Sequence, residues 1–235
     1  MTKDSNLNRR SFMKAVTASV LGSAAVTIGA AGMDAYAPAI AEAQTTDTPQ
    51  EALQRLLDGN KRYLDQHLTS FSKDLGRIRQ HTTEKQEPFA SVLSCADSRV
   101  PVEIIFDQAI GDVFVCRIAG NIATPETIAS LEYGVAVLGT KALLVLGHGS
   151  CGAVSATISV KAAPGQISSL YAYIYPAVEQ AGKVVDVASK QNAKNQANLL
   201  RSASPVLSDS VKQKKLIIAA AFYDVSTGEV SLLKE

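Results

Sequence analysis

The sequence predicts one α/β domain, a mostly parallel central β-sheet flanked by helices. Three observations carry that expectation. Short apolar runs that read as buried strands recur at Phe89–Ser94, Asp112–Ile118, Ala142–Leu146 and Leu216–Tyr223. Segments with helical spacing separate them. The run Ala142–Leu146 is continuously apolar, the pattern of a strand buried on both faces, as in parallel sheets. Strands that alternate with helices imply crossover connections and a single layered domain. In such sheets ligands bind beyond the carboxyl ends of the strands.

Ahead of that domain, residues 1–43 read as a targeting segment. Asn8-Arg9-Arg10-Ser11-Phe12-Met13-Lys14 is a twin-arginine pattern, and Ala15–Met33 follows without a charge. Ala41-Glu42-Ala43 places small residues at the two positions a signal peptidase reads. The expectation is a Tat-type signal cleaved after Ala43, Tat export machinery as a transient partner, and a periplasmic or secreted domain over residues 44–235. A membrane anchor is the competing reading. Gly and Ala make the run too weakly hydrophobic for a stable insertion.

Within residues 44–235, Pro49 starts a helix behind Thr48 as cap. Leu53, Leu56, Leu57 and Leu64 recur at helical spacing through Glu51–Gln66. Leu68–Glu87 is polar and irregular and reads as surface loop. After the first strand, Val102–Phe106 has the length of a short helix. Pro125 opens a helix whose Ile128, Leu131, Val135 and Leu138 form one stripe, with Gly139 as its stop. A helix is expected after Cys151 to about Val160, and Gln166–Ser202 reads as helical with a break at Gly182. Ser226-Thr227-Gly228 is a turn, and Val230–Leu233 reads as an added edge strand.

Composition excludes some function classes. The chain has 235 residues and a formal charge of +1, and residues 44–235 alone are neutral. Nothing in that balance points to nucleic acid or an anionic membrane. Trp is absent, which disfavours base or sugar stacking. Three cysteines, Cys95, Cys116 and Cys151, make a poor disulfide framework in a chain long enough to bury a core. Three histidines, His67, His81 and His148, leave few candidates for a site.

Two stretches gather the soft ligands. Ser94-Cys95-Ala96-Asp97-Ser98-Arg99 follows the first strand, and Gly147-His148-Gly149-Ser150-Cys151-Gly152 follows the third. Cys95, His148 and Cys151 make a Cys₂His set for Zn²⁺ with a fourth position open, the pattern of a catalytic site. Gly147 and Gly149 are expected to let the backbone fold around the ion. Folding in a reducing cytoplasm before export protects the two thiols from each other. Asp97 and Arg99 stand two apart and can pair, since a guanidinium matches a carboxylate bidentately. If Arg99 holds Asp97 off the metal, water takes the fourth position and its pKa falls from about 15.7 towards 7. If Asp97 binds zinc instead, the shell closes. A structural zinc with Asp97 as fourth ligand is the other arrangement this spacing allows.

These residues resemble the β-class carbonic anhydrases. The likeness covers most of residues 44–235. It includes Asp107-Gln108, Gly111-Asp112-Val113-Phe114-Val115-x-Arg117, Gly120-Asn121, Ser130-Leu131-Glu132-Tyr133 and the run Gly147–Val154. The resemblance implies a β-carbonic-anhydrase-like fold with one Zn²⁺ per subunit. It implies reversible hydration of carbon dioxide to bicarbonate and a proton through zinc-bound hydroxide. It also implies a homodimer that often pairs into a tetramer. By the same resemblance Cys95, His148 and Cys151 are metal ligands, and Asp97 and Arg99 are the catalytic dyad. Asp97 is the fourth ligand of closed forms. Gln86 matches a glutamine that polarises substrate across the dimer interface. Phe114 and Tyr133 match the lining of the pocket, and Gly152 matches a backbone donor near the substrate. Ala119 stands where plant-type members carry a larger aliphatic residue, which implies a looser pocket wall. One subgroup builds an inhibitory bicarbonate site partly from a tryptophan three residues before the first cysteine. Val92 stands there, so the chain resembles the open, directly active subgroup. Cys116 is expected to be a buried structural thiol, and His67 and His81 solvated. Two other functions fit the same residues: hydrolysis of carbonyl sulfide or carbon disulfide, and a non-catalytic zinc-binding protein of the same fold.

Overall fold

The computed structural model describes residues 45–70, 76, 83, 85–160 and 162–234. The segment 1–43, read as an export signal, and His81 lie outside the described residues. Among the described residues no helix is long and apolar enough to cross a membrane.

Helix α1 (Pro49–Leu64) begins with a reciprocal cap. Thr48 Oγ1 accepts the Glu51 amide at 3.3 Å, and Glu51 Oε2 accepts the Thr48 amide at 2.8 Å. Strand β1 (Ala90–Ser94) is buried throughout. A short α2 (Val102–Ile105) leads to β2 (Val113–Arg117), which is half-buried. Helix α3 (Pro125–Ala136) follows, capped by Thr124, and β3 (Ala142–His148) is buried along its whole length. Next come α4 (Gly152–Ser159), a 3₁₀ turn at Ile167–Leu170, α5 (Tyr171–Ala181) and α6 (Val185–Ala203). The predicted break at Gly182 is where α5 ends, with φ at +79°. Helix α7 (Pro205–Lys212) was not expected. Ser204 Oγ accepts the Leu207 amide at 3.1 Å, Pro205 takes the first position, and Leu207 is the residue it buries. Strands β4 (Ile217–Tyr223) and β5 (Val230–Leu232) end the described chain.

The sheet order is β2-β1-β3-β4-β5. The first four strands are parallel and β5 is antiparallel at the edge, so the mostly parallel sheet is borne out. Side chains alternate across it. Ala142, Leu144 and Leu146 face the core under α1 and α2, with Phe89, Val92, Leu56 and Phe106. Leu143 and Val145 face the core under α3, α6 and α7, with Leu131, Ala197, Leu200 and Leu207. A third cluster lies against the ligand-bearing loops. It joins Cys95, Ile122, Cys151, Val154, Ile174, Val178 and Ala188.

One buried carboxylate ties the α1 side of the domain together. Asp107 accepts from Arg62 Nε at 2.6 Å, from the Thr69 amide at 3.0 Å and hydroxyl at 2.9 Å, and from the Ser70 amide at 2.9 Å and hydroxyl at 2.7 Å. Burial alone would raise its pKa. The Ser70 hydroxyl, Arg62 and the Ser70 and Thr69 amides outweigh that and hold it well below the usual carboxylate range.

Candidate metal centre

Parallel pairing brings the two predicted loops together. Ser94 of β1 lies opposite Leu146 of β3, so Cys95 leaves the sheet level with Gly147, one residue before His148. Cys151 then serves as the capping residue of α4. The ligand atoms of Cys95, His148 and Cys151 all lie within 4.8 Å of one another, and all three residues are buried. An ion bound about 2.0–2.3 Å from each matches separations of that order.

The glycines act differently from expectation. Neither Gly147 nor Gly149 has positive φ; the left-handed turn is made by Ser150, at φ +53°. Gly147 is small for a steric reason. A Cβ there would stand 2.9 Å from the Ser189 carbonyl oxygen and 3.2 Å from Ala193 Cβ. Only a glycine lets α6 lie this close to β3.

His148 shows why the site fits a metal. Its Nδ1 is 2.9 Å from the Gly149 carbonyl, which can only accept, so Nδ1 carries the proton. That leaves a lone pair on Nε2. Nε2 is buried and has no hydrogen-bond partner among the described residues. A second donor set is ready beside it. Cys95 Sγ accepts the Gly120 amide at 3.3 Å. The Cys151 thiol as donor, against burial and with help from the Gly120 amide, pulls the Cys95 pKa well below the usual thiol range. The same contact and burial push Cys151 up. A bound zinc takes cysteines as thiolates, so its binding releases their protons.

Asp97 and Arg99 meet as the spacing predicts. Arg99 Nε is 3.0 Å from Asp97 Oδ1, Arg99 Nη2 is 2.8 Å from Oδ2, and the Arg99 amide is 2.9 Å from Oδ1. This bidentate grip holds the carboxyl well below its usual range. Asp97 Oδ2 lies 3.9 Å from His148 Nε2, so the carboxylate borders the ligand set while Arg99 holds it. Arg99 Nη2 also reaches the Ser150 carbonyl at 3.3 Å, linking the two loops.

Two braces were missed in the sequence. Arg117 donates through Nη2 to the Asp97 carbonyl at 2.6 Å and through Nε to the Cys95 carbonyl at 3.1 Å. Asp186, in the first turn of α6, accepts the Ser150 amide at 2.8 Å. For Arg117 the available signal was a charge at the end of an apolar strand.

The remaining expected residues fall in two places. Gly152 opens α4 beside Cys151, is exposed, and a Cβ added there would meet nothing within 4 Å among the described residues. Phe114 and Tyr133 pair with each other, ring centroids 6.3 Å apart, but away from the ligands. Phe114 lies opposite Ser91, four residues before Cys95, a separation of about 13 Å along the strand. Gln86 is exposed and precedes β1, which by itself spans about 13 Å from Ala90 to Ser94, before Cys95 is reached. Within one subunit, therefore, Gln86, Phe114 and Tyr133 do not gather at the ligand set. His67 is exposed, Ala119 half-buried, and Cys116 a half-buried thiol whose pKa burial raises.

Comparison with known proteins agrees with this geometry. The carbonic anhydrase family model matches residues 90–230. A carbonic anhydrase of Mycolicibacterium smegmatis is 33% identical over 192 residues, spanning 78% of this chain and 93% of that protein. A Coccomyxa β-carbonic anhydrase, solved with acetazolamide, superposes with a TM-score of 0.61 at 27% identity, covering 81% of this chain and 88% of that one. A tetrameric β-carbonic anhydrase of Sordaria macrospora has a TM-score of 0.61 at 24% identity, covering 68% and 91%. With the Cys₂His cluster at two adjacent strand ends, the chain belongs to the carbonic anhydrase family, in its β class, the zinc enzymes that interconvert carbon dioxide and bicarbonate.

Proposed function

We propose that Cys95, His148 and Cys151 hold one Zn²⁺, that Asp97 and Arg99 form the catalytic pair, and that Gln86, Phe114, Tyr133 and Gly152 line the substrate position. The observation that carries this reading is a buried, unpartnered His148 Nε2 beside two cysteines, bordered by a carboxylate that Arg99 keeps turned aside. Zinc, when bound, supplies the Lewis acidity that makes water a nucleophile near neutral pH. Asp97 stays ionised because Arg99 holds it. It can accept a hydrogen bond from the attacking water and keep a lone pair aimed at the carbon of carbon dioxide. Gly152 leaves open space next to Cys151 for a linear substrate. Gln86, Phe114 and Tyr133 serve the zinc of a neighbouring copy, which makes the working unit a homodimer or a tetramer of paired dimers.

Stopped-flow hydration on zinc-verified protein tests the roles. The wild type should hydrate carbon dioxide. Cys95→Ser should lose zinc and activity together. Asp97→Ala should keep zinc and lose about 10²-fold or more in kcat. Zinc-loaded wild type without hydration, or with faster turnover of carbonyl sulfide, would overturn the substrate assignment. Sedimentation of an active monomer would remove the shared-site reading.

The twin-arginine stretch and the small residues Ala41 and Ala43 support export, with residues 44–235 as the mature periplasmic or secreted domain. Protein recovered from a periplasmic fraction should begin near Gln44; full-length chain retained in membranes would contradict it.

A further inference from the structure

The face that α6 turns towards the metal loops is not wholly apolar. Asn192 is fully buried and Gln196 nearly so, four residues apart and on one side of the helix. Asn192 Nδ2 donates to the Gly120 carbonyl at 2.8 Å, and its Oδ1 accepts from Gln196 Nε2 at 3.1 Å. Gln196 also donates to the Tyr173 carbonyl at 3.1 Å and accepts the Ala123 amide at 2.9 Å. Two primary amides in an alanine-rich core are costly unless every group is paired. Packing alone would be served as well by leucine.

What these amides border is a tight turn, closed by the Asn121 amide on the Ile118 carbonyl at 2.9 Å. Gly120 has φ +78° and Asn121 φ +43°. Glycine takes this backbone freely and asparagine tolerates it, so the turn keeps its shape locally while its place is set by what grips it. A Cβ on Gly120 would stand 2.6 Å from Ile174 Cδ1, so the turn is also pressed close from α5. The outcome of this arrangement is that the Gly120 N–H sits 3.3 Å from Cys95 Sγ.

We propose that Asn192, oriented by Gln196, is a positioning residue of the metal centre. By gripping the Gly120 carbonyl it keeps the Gly120 amide on the Cys95 sulfur and so sets how tightly the ligand set binds zinc. This rests on the reading of Cys95 as a ligand. An amide that donates to a ligating sulfur draws charge from it and fixes its rotamer. Loss of such outer partners typically weakens metal binding about 10–100-fold.

Protein loaded with NMR-active cadmium provides the direct test. Scalar coupling from the metal to the β-protons of Cys95 and Cys151 checks the ligands. Coupling to the Gly120 amide proton checks the N–H···S bond. The wild type should show both. Asn192→Leu should lose the Gly120 coupling and bind zinc about 10–100-fold more weakly in chelator competition. Gln196→Met, which leaves the Asn192 bond to Gly120 in place but removes its orienting partner along with the bonds of Gln196 to Ala123 and Tyr173, should weaken zinc binding less, and it substitutes for Asn192→Leu if that variant does not fold. Ser189→Ala, which removes a nearby buried hydroxyl without a partner, should change neither quantity. Cysteine couplings without a Gly120 coupling in the wild type would overturn the proposal and leave the ligands standing. So would folded Asn192→Leu with wild-type zinc affinity. Absence of a Cys95 coupling would overturn the ligand reading and this inference with it.

Discussion

Asp107 is a carboxylate with no exposed side-chain surface, and five donors from Arg62, Thr69 and Ser70 keep it ionised. Its folded pKa lies well below the unfolded value of about 3.9. The unfolded chain therefore binds the proton more readily, and stability rises with pH across that range. The contribution is complete above the unfolded pKa and is lost as pH falls towards the folded one. Asp107→Asn should cost about 1–3 kcal/mol near neutral pH, because the Ser70 and Thr69 donors lose an acceptor. Denaturant unfolding between pH 6 and pH 2.5 should show the wild type losing that advantage on acidification; equal slopes for the two proteins would refute it. The sequence showed Asp107 only as part of a family pattern. Its role was illegible because the partners Arg62, Thr69 and Ser70 are about 40 residues away. Cys95, His148 and Cys151 were legible, since each follows a strand run and few other soft ligands exist in the chain.

At the scale of elements, α6 lies close against β3 at Gly147. Gly147→Ala would bring a methyl within 2.9 Å of the Ser189 carbonyl, a backbone group that cannot rotate away. The helix must shift, and with it Asp186 and Asn192. The expected cost is about 1–3 kcal/mol in urea unfolding; an unchanged midpoint would mean the helix yields freely. The strands and most helices were readable from apolar period and from Pro and Gly punctuation. Helix α7 was not, because Leu207 is the only residue it buries and its other positions are polar or partly exposed. The polar stripe of α6 misleads in the opposite sense. Ser189-Lys190-Gln191-Asn192-Ala193-Lys194-Asn195-Gln196 looks like a solvated face, yet Asn192 and Gln196 point inward. Their partners are backbone groups of a distant turn, and no residue pattern announces those. Ser150 hid its turn in the same way, since a serine gives little notice of positive φ.

For the whole molecule, the sheet separates two sets of residues that one reaction is proposed to need. The ligands sit at the carboxyl end of β1 and β3, while Gln86, Phe114 and Tyr133 lie towards the other end or the β2 edge. Tyr133 is 46% exposed and Ile110 60% exposed, so large apolar side chains stand open to solvent on the subunit. Sequence alone named these residues through family likeness. It could not show that one subunit keeps them apart, because that depends on register.

The unpartnered Nε2 of His148 has a consequence beyond catalysis. The ligands hang from two neighbouring strands inside the sheet, so an ion that joins them acts as a clasp on the fold. Free zinc at a thousand times its dissociation constant adds about 4 kcal/mol to the folded state. Chelation should then lower Tm by on the order of 10 °C, and re-addition of zinc should restore it. A chain short of zinc would open more often and meet proteases sooner. Its abundance would then follow the metal supply of its compartment, so that the amount of enzyme is itself a gauge of available zinc.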